Sequence, residues 1–517
     1  MTAIFNKIVF SIKRPPWLWA TVAVLGVYFA VRYALMPPAM DDAIYLHRVS
    51  HRAADGSLVV DWIRLFEIFD IHNWSPRLSN VVIPIFLSIP VWLKGVIGGV
   101  LQAVTLVLGA RMAGLTRRNS VVLCTLMAVM YISLLPWYDS LTVCAYMTNY
   151  CIPTVLMTGL YTIFVRKKSI AWWKALLYAV FFAFWHEGFT ACAMCACWFT
   201  LALRHHMWRT DRLVAALILT AVTLLYWCLP ATHIRLDEEM PCFGGELILA
   251  TTGIELFMTV WLICAVSRRW RYIVASPVLT IMLGTAIASY AVMWILRISV
   301  RSAFPGMVCS VFGLLYIVNR ITEGRHAGRA LKCAAGAVWL GLLIQFCYVI
   351  RYDCITATES DYIMNEFKRH PGRQIFAPLR HLTPHPAWTF RQNNPVWTIN
   401  SFSRRTNSLF AFDTKGYIRV APIELRDYHS GAGTPVESNI ALRYYRGHYI
   451  CPTEEFNDDT WKIYTRMTFD NGFKYRSSAY LESFRSGDGS EYIWVYPNGR
   501  WLEYICGHIV RIDFDIE

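Results

Sequence analysis

Two adjacent carboxylates, Asp41-Asp42, stand just beyond the first apolar stretch of the chain, after Pro37-Pro38. A carboxylate pair is costly at a lipid surface and cheap in a water-filled cavity, so among membrane helices it points to polar chemistry at the membrane face. A carboxylate there can take the proton of an attacking hydroxyl. Further polar residues border apolar stretches: Asn73, Trp74 and Arg77 in His72-Asn73-Trp74-Ser75-Pro76-Arg77, Asn149-Tyr150, His186-Glu187, and Arg297 with Arg301. Each has a bland reading. Asp41 could cap a helix from Asp42 to Arg52, and Asn149 could cap the stretch it opens, which for Asn149 is the better reading. His186-Glu187 could be a solvated turn, although the two short stretches flanking it would draw that turn into the bundle. Arg297 and Arg301 could snorkel to headgroups. Arg77, in a loop rich in Trp and Pro, fits that explanation less well. Their convergence on one face of a membrane carries more than any single member.

Composition says what must position these residues. The chain has 517 residues, 56% hydrophobic and 16% charged, with mean hydropathy +0.37, above the apolar share of ordinary soluble domains. Residues 17 to 350 are apolar runs broken by short basic punctuation, and residues 351 to 517 are polar and mixed. The pattern predicts about eleven membrane spans, at 17–37, 88–110, 121–136, 150–165, 172–186, 188–203, 213–230, 254–267, 274–295, 304–319 and 333–350. Several fall short of the roughly 20 residues that cross a bilayer squarely. Pro84, Pro90 and Lys94 blur the start of the second. Lysine and arginine concentrate in alternate loops, among them Arg117-Arg118, Arg166-Lys167-Lys168 and Arg268-Arg269, while the later opposite loops hold only Arg235, Arg297 and Arg301. That asymmetry puts the N-terminus in the cytoplasm and, with an odd span count, residues 351 to 517 outside. Much of the net charge of +14 is this punctuation, so no nucleic-acid partner is needed. The mildly basic start and long first span read as a retained anchor.

The loop from 38 to 80 is the long first external segment. Between Leu58 and Phe69, Asp61, Arg64 and Glu67 recur every third position among large apolar residues, the pattern of a juxtamembrane helix with one narrow polar stripe. The C-terminal region has strand-like runs at Tyr417 to Val420, Tyr444 to Ile450 and Tyr492 to Tyr496, after mixed structure from 355 to 400. Turn signals at Asn471-Gly472, Gly487 to Gly489 and Asn498-Gly499 separate them, predicting a mainly β domain. Of the 15 cysteines, Cys192, Cys195 and Cys197 read as helix-packing residues. Cys354, Cys451 and Cys506 leave any disulfide pairing open. No phosphate loop, nucleophile elbow or zinc motif is present.

An acidic pair shortly after the first span, a long first external loop, many short spans and an external C-terminal domain resemble the layout of the GT-C glycosyltransferases. Met40-Asp41-Asp42-Ala43-Ile44-Tyr45 is similar to the acidic first-loop motif of that superfamily. Trp74 to Arg77 and His186-Glu187 look like features of bacterial members. The resemblance implies an all-α polytopic bundle over residues 1–350 with an extracytoplasmic, mainly β domain over 351–517, in a bacterial cytoplasmic (inner) membrane. It implies transfer of a sugar from a polyprenyl-phosphate donor to an extracytoplasmic glycan or lipid acceptor.

That chemistry assigns roles. Asp41 or Asp42 takes the acceptor proton. Arg297 and Arg301, at the lipid–water boundary, hold the departing phosphate. Asn73, Trp74, Arg77, Asn149, Tyr150, His186 and Glu187 bind substrate. A single displacement inverts the anomeric centre. No cofactor is expected, and a divalent metal stays open. A transporter or flippase would more often show polar residues at mid-membrane in two related halves, which the sequence lacks. A non-catalytic cell-envelope assembly protein would keep the same layout.

Overall fold

The computed structural model describes residues 16–36, 50–52, 58–60, 77–115, 120–135, 137, 147–230, 232–233, 244–296, 300–323, 327–370, 373–380, 420–456 and 462–515. Its first part is helical: α1 (Pro16–Leu35), α2 (Leu78–Ser88), α3 (Val91–Met112), α4 (Ser120–Ser133), α5 (Ile152–Phe164), α6 (Trp172–Ala183), α7 (Glu187–Leu203), α8 (Thr210–Cys228), α9 (Gly244–Val266), α10 (Pro277–Leu296), α11 (Phe304–Ile321) and α12 (Arg329–Arg369). These elements are apolar on most sides, as helices in lipid must be, since only a helix satisfies its own backbone there. They share one core that runs from Leu18 on α1 to Val349 on α12.

Small residues set the closest crossing. A methyl group at Gly95 or Gly99 would fall 2.5 Å from the carbonyl oxygen of Ala30 or Gly26, and one at Gly98 would strike the Tyr33 ring. α1 and α3 therefore meet backbone to backbone, the packing that membrane helices use when apolar burial alone gives no drive to associate.

The expectation of eleven spans is corrected. Among the described residues six helices are long and apolar enough to cross a membrane: Pro16–Leu35, Val91–Met112, Thr210–Cys228, Pro277–Ile295, Phe304–Ile321 and Arg329–Ile363. Leu78–Ser88, Val121–Ser133, Trp172–Ala183, Glu187–Leu203 and Thr251–Val266 are apolar but have only 10–17 residues. At 1.5 Å per residue the longest of these reaches about 26 Å, short of a hydrocarbon core of about 30 Å. Hydropathy runs on through residues that end helices: α2 stops before Ile89-Pro90, and α6 before Phe184.

The first external loop also departs from expectation. Leu58–Val60 is a strand (β2) paired antiparallel with Ser50–Arg52 (β1), Ser50 opposite Val60 and Arg52 opposite Leu58. A helix starting at Leu58, or one from Asp42 reaching Arg52, is thereby excluded at those residues. The β-branched Val59-Val60 and the Asp55-Gly56 pair in the intervening sequence favour a hairpin over a helix. The rest of the expected helix to Phe69 lies outside the described residues.

α12 is 41 residues long, about 62 Å at the helical rise, and it continues unbroken past residue 351 in place of the mixed structure expected from 355. Lower down, Phe346 stacks on Tyr28 of α1 with ring centroids 4.0 Å apart. Further up, Asp353 accepts from Arg32 Nε at 2.7 Å. At its far end Ile363 enters a second core.

That second core lies on one face of an antiparallel sheet ordered β11-β8-β9-β10-β7-β6-β5, with β5 (Thr434–Pro435), β6 (Arg443–Tyr445), β7 (His448–Pro452), β8 (Lys462–Phe469), β9 (Lys474–Arg485), β10 (Glu491–Pro497) and β11 (Ile509–Phe514). Ile375–Ala377 (β3) and Val420–Pro422 (β4) form a parallel pair that joins Ile363 over Ile450, Phe484, Tyr492 and Trp494. The other face has its own core around Met467, Leu481 and Ile512. The expected strand from Tyr444 to Ile450 is a hairpin, turned at Arg446-Gly447, where both residues have positive φ (44° and 90°). The turn signals at Asn471-Gly472, Gly487 to Gly489 and Asn498-Gly499 fall after β8, β9 and β10. All three cysteines of this region are free.

His448, at the start of β7, gives the β-domain a pH dependence. Burial, reinforced by the Arg500 guanidinium, pushes its imidazole down from 6.5 to about 4. The Glu424 carboxylate 3.8 Å away works in the opposite direction but is nearly half exposed and so screened. Between pH 6.5 and 4 the unfolded chain binds a proton that the folded domain refuses, so stability is full above 6.5 and falls as pH drops towards 4. The loss is of order 2–3 kcal/mol. Amide exchange at Ile450 and Val495, corrected for intrinsic pH effects, should quicken over that window, and His448→Gln should remove the effect. An unchanged profile in His448→Gln would refute the assignment.

Candidate functional site

Three separate segments converge at one end of the bundle. The first is the start of α2, where the Leu78 amide donates to the Phe184 carbonyl at 2.8 Å. The second is the turn between α6 and α7. The third is a π-helical turn, Met147–Cys151, that runs directly into α5. Trp185 in the turn donates from its indole Nε1 to the Thr148 carbonyl at 2.8 Å. Single π-helical turns inside helices recur at functional sites because they shift register and re-aim side chains.

At this junction Arg77 forms a two-pronged ion pair with Glu187, Nε to Oε2 and Nη2 to Oε1. The fork geometry suits Arg and could not be reproduced by Lys. His186 caps α7: its Nδ1 accepts from the Gly188 amide at 3.2 Å and lies 3.9 Å from Glu187 Oε2. The Tyr150 ring sits 5.4 Å from the His186 ring, and Phe189 closes against both. Asn149 is buried, and its Oδ1 has no hydrogen-bond partner among the described residues. A buried amide oxygen in that condition is an acceptor awaiting a donor. It does not cap α5, whose N-cap is Cys151, so the capping reading of Asn149 is set aside.

The structure thus brings together Arg77, Asn149, Tyr150, His186 and Glu187. Arg301 belongs to the short 3-10 helix Val300–Ala303, and the neighbouring Phe304 ring lies 5.8 Å from Tyr150. The Arg301 side chain, and all of Asp41, Asp42, Asn73, Trp74 and Arg297, lie outside the described residues.

Several neighbours escaped the sequence reading. Tyr226 on α8 lies within electrostatic range of Glu187 and Arg77, and its buried hydroxyl has no hydrogen-bond partner among the described residues. Nothing in an apolar helix marks one tyrosine out. Below Tyr150, Cys151 receives Gln102 Nε2 at 3.0 Å and meets the Tyr33 hydroxyl at 3.2 Å, while Tyr131 donates to Gln102 Oε1. Lys94, also buried, is two turns from Gln102 on the same face of α3. Gln102 and Lys94 did carry a signal, since an amide and a cation within an apolar span are expensive unless employed.

The arrangement is polar, buried and mixed in charge. It offers an acceptor at Asn149, aromatic walls at Tyr150 and Phe189, and an ion pair that is neutral as a unit. That set suits a hydroxyl-rich ligand better than a bare anion. Among the described residues no three side chains of metal-ligating type come together. No family model, no curated protein and no solved structure matches this chain.

Proposed function

We propose that the protein is a GT-C-type membrane glycosyltransferase, transferring a sugar from a polyprenyl-phosphate donor to an extracytoplasmic glycan or lipid. The observation that carries the reading is the junction of Arg77, Glu187, His186, Asn149 and Tyr150, drawn from three segments to one end of the bundle. This is the end from which α1 leads, through Tyr33 and Cys151, towards Asp41-Asp42 in the sequence.

In this mechanism Asp41 or Asp42 accepts the proton of the acceptor hydroxyl, whose oxygen bonds to the anomeric carbon as the bond to phosphate breaks. Arg301 and Arg297 receive the charge that develops on the leaving lipid phosphate. Asn149 accepts from a sugar hydroxyl, and the Arg77–Glu187 pair with His186 fixes the pocket. Incubating the purified protein with a panel of lipid-phosphate sugars and following release of lipid phosphate tests the proposal. Absence of release with every donor, together with unchanged surface glycans in a strain carrying Asp42→Asn at normal abundance, would favour a non-catalytic assembly role.

The proposed site faces away from the cytoplasm, in a bacterial inner membrane, with the N-terminus inside and the β-domain outside. The support is the bias of basic residues to alternate loops, together with the Arg32–Asp353 bond, which brings the exit of α12 to the same end of the bundle as the exit of α1 however many of the short helices cross. In a background without competing thiols, a cysteine at the exposed Ser490 should react with an impermeant maleimide on intact, outer-membrane-permeabilised cells. Reaction only after the inner membrane is opened would reverse the orientation.

A further inference from the structure

The β-domain exposes few large apolar side chains among its described residues, and they are not scattered. Apart from Ile423, they are Phe473 at 43% exposure, Tyr504 at 59%, Ile505 at 64% and Val510 at 45%. Three segments carry them, the β8–β9 turn, the short helix Glu503–Cys506 and β11, and these are joined at one end of the sheet. The Asp470 amide donates to the His508 carbonyl at 2.9 Å, and the His508 amide donates to Asp470 Oδ2 at 3.0 Å.

This end faces α12 at a defined height. Leu340, Ile344, Tyr348 and Tyr352 follow one another at i, i+4 spacing on α12. Leu340 and Ile344 are both 62% exposed, as lipid-facing residues of a spanning helix are. The Tyr348 and Tyr352 rings meet at a tilt, with centroids 4.9 Å apart and a hydroxyl–hydroxyl bond of 3.1 Å. Arg351 and the Asp353–Arg32 pair mark the polar boundary beside them. Tyrosines at that depth are the usual residents of the headgroup layer, with ring in the apolar region and hydroxyl in the wet one. Tyr504 of the β-domain lies within electrostatic range of Tyr348. The apolar end of the sheet therefore stands at the level where the bilayer surface must lie, continuous with the lipid-facing stripe of α12.

We propose that this end of the β-domain is seated in the membrane, with Phe473, Tyr504 and Ile505 inserted among the lipid headgroups beside Tyr348 and Tyr352. Ring and aliphatic groups on a polar surface are the composition of an interfacial anchor, and Lys474, next to Phe473, adds a cation for headgroup phosphates. The partner is the bilayer that α12 crosses, and the inference holds whichever activity the bundle has.

The test uses the full chain in nanodiscs of phosphatidylcholine and phosphatidylglycerol, with p-benzoylphenylalanine in place of Tyr504, Phe473 or, as control, Ile423. Illumination should attach lipid to the peptides carrying positions 504 and 473 many-fold more than to that carrying 423. Crosslinks instead to a second copy or to another segment of this chain, or equal lipid capture at all three positions, would overturn the proposal. A nitroxide on Ile505→Cys, in a background with other accessible cysteines replaced by serine, gives an independent reading. Inserted, it should be relaxed by oxygen more than by an aqueous nickel chelate. The reverse order would refute insertion.

Discussion

Glu187→Ala is expected to destabilise the protein by about 3 kcal/mol, the lower end of the cost of breaking a buried ion pair by removing one partner. The lower end applies because the Glu187 side chain keeps 26% of its surface in solvent while Arg77 keeps 10%. The cost comes from the guanidinium left behind, held at the α2 start by the Leu78–Phe184 hydrogen bond. Removing both charges in Arg77→Ala/Glu187→Ala should therefore cost less than the two single changes added together. Thermal unfolding of the purified protein, followed by reactivity of buried thiols such as Cys151 and Cys192, would measure all three. A loss under about 1 kcal/mol for Glu187→Ala, the range of exposed pairs, would mean that the pair is ornamental.

Asp42→Asn is expected to lower turnover by about 10²–10⁴-fold if Asp42 is the base, the usual worth of general-base assistance, with folding and donor binding largely kept. Asp41→Asn separates the two acids: only one of the substitutions should show the full collapse. Because the change spares the donor, kcat should fall and KM stay near its starting value. Equal turnover in both variants and the parent would remove the acidic pair from the mechanism.

Much of the fold was readable because lipid restricts the backbone so severely. Each long apolar run had to be a helix, and the turn residues at 471–472, 487–489 and 498–499 marked strand ends in the sheet. Span length was less readable, since hydropathy does not register where a helix stops. Phe184-Trp185 is as apolar as the α6 that precedes it, yet it bends back to hold Leu78 and Thr148. Local signals also competed. The three-residue polar period after Leu58 argued for a helix, while Val59-Val60 and Asp55-Gly56 argued for the hairpin that forms. At the site, His186-Glu187 and Arg77 could be singled out because charge near lipid needs a reason. Their mutual pairing could not, because it depends on how α2 docks against a turn about 110 residues later. The π-helical turn at Met147–Cys151 leaves no mark in composition at all.

The length of α12 has a mechanical consequence. One continuous rod takes part in the packing of both halves, through Phe346 and Val349 below and Ile363 above, and the Arg32–Asp353 pair clamps it where it leaves the bundle. No hinge separates the halves along this helix, so the sheet cannot swing aside like a door without bending α12 or uncovering the core around Ile363. The bundle and the sheet are threaded on a single axle, and the spacing between them is set by the rise of α12 and not by the loops that join them.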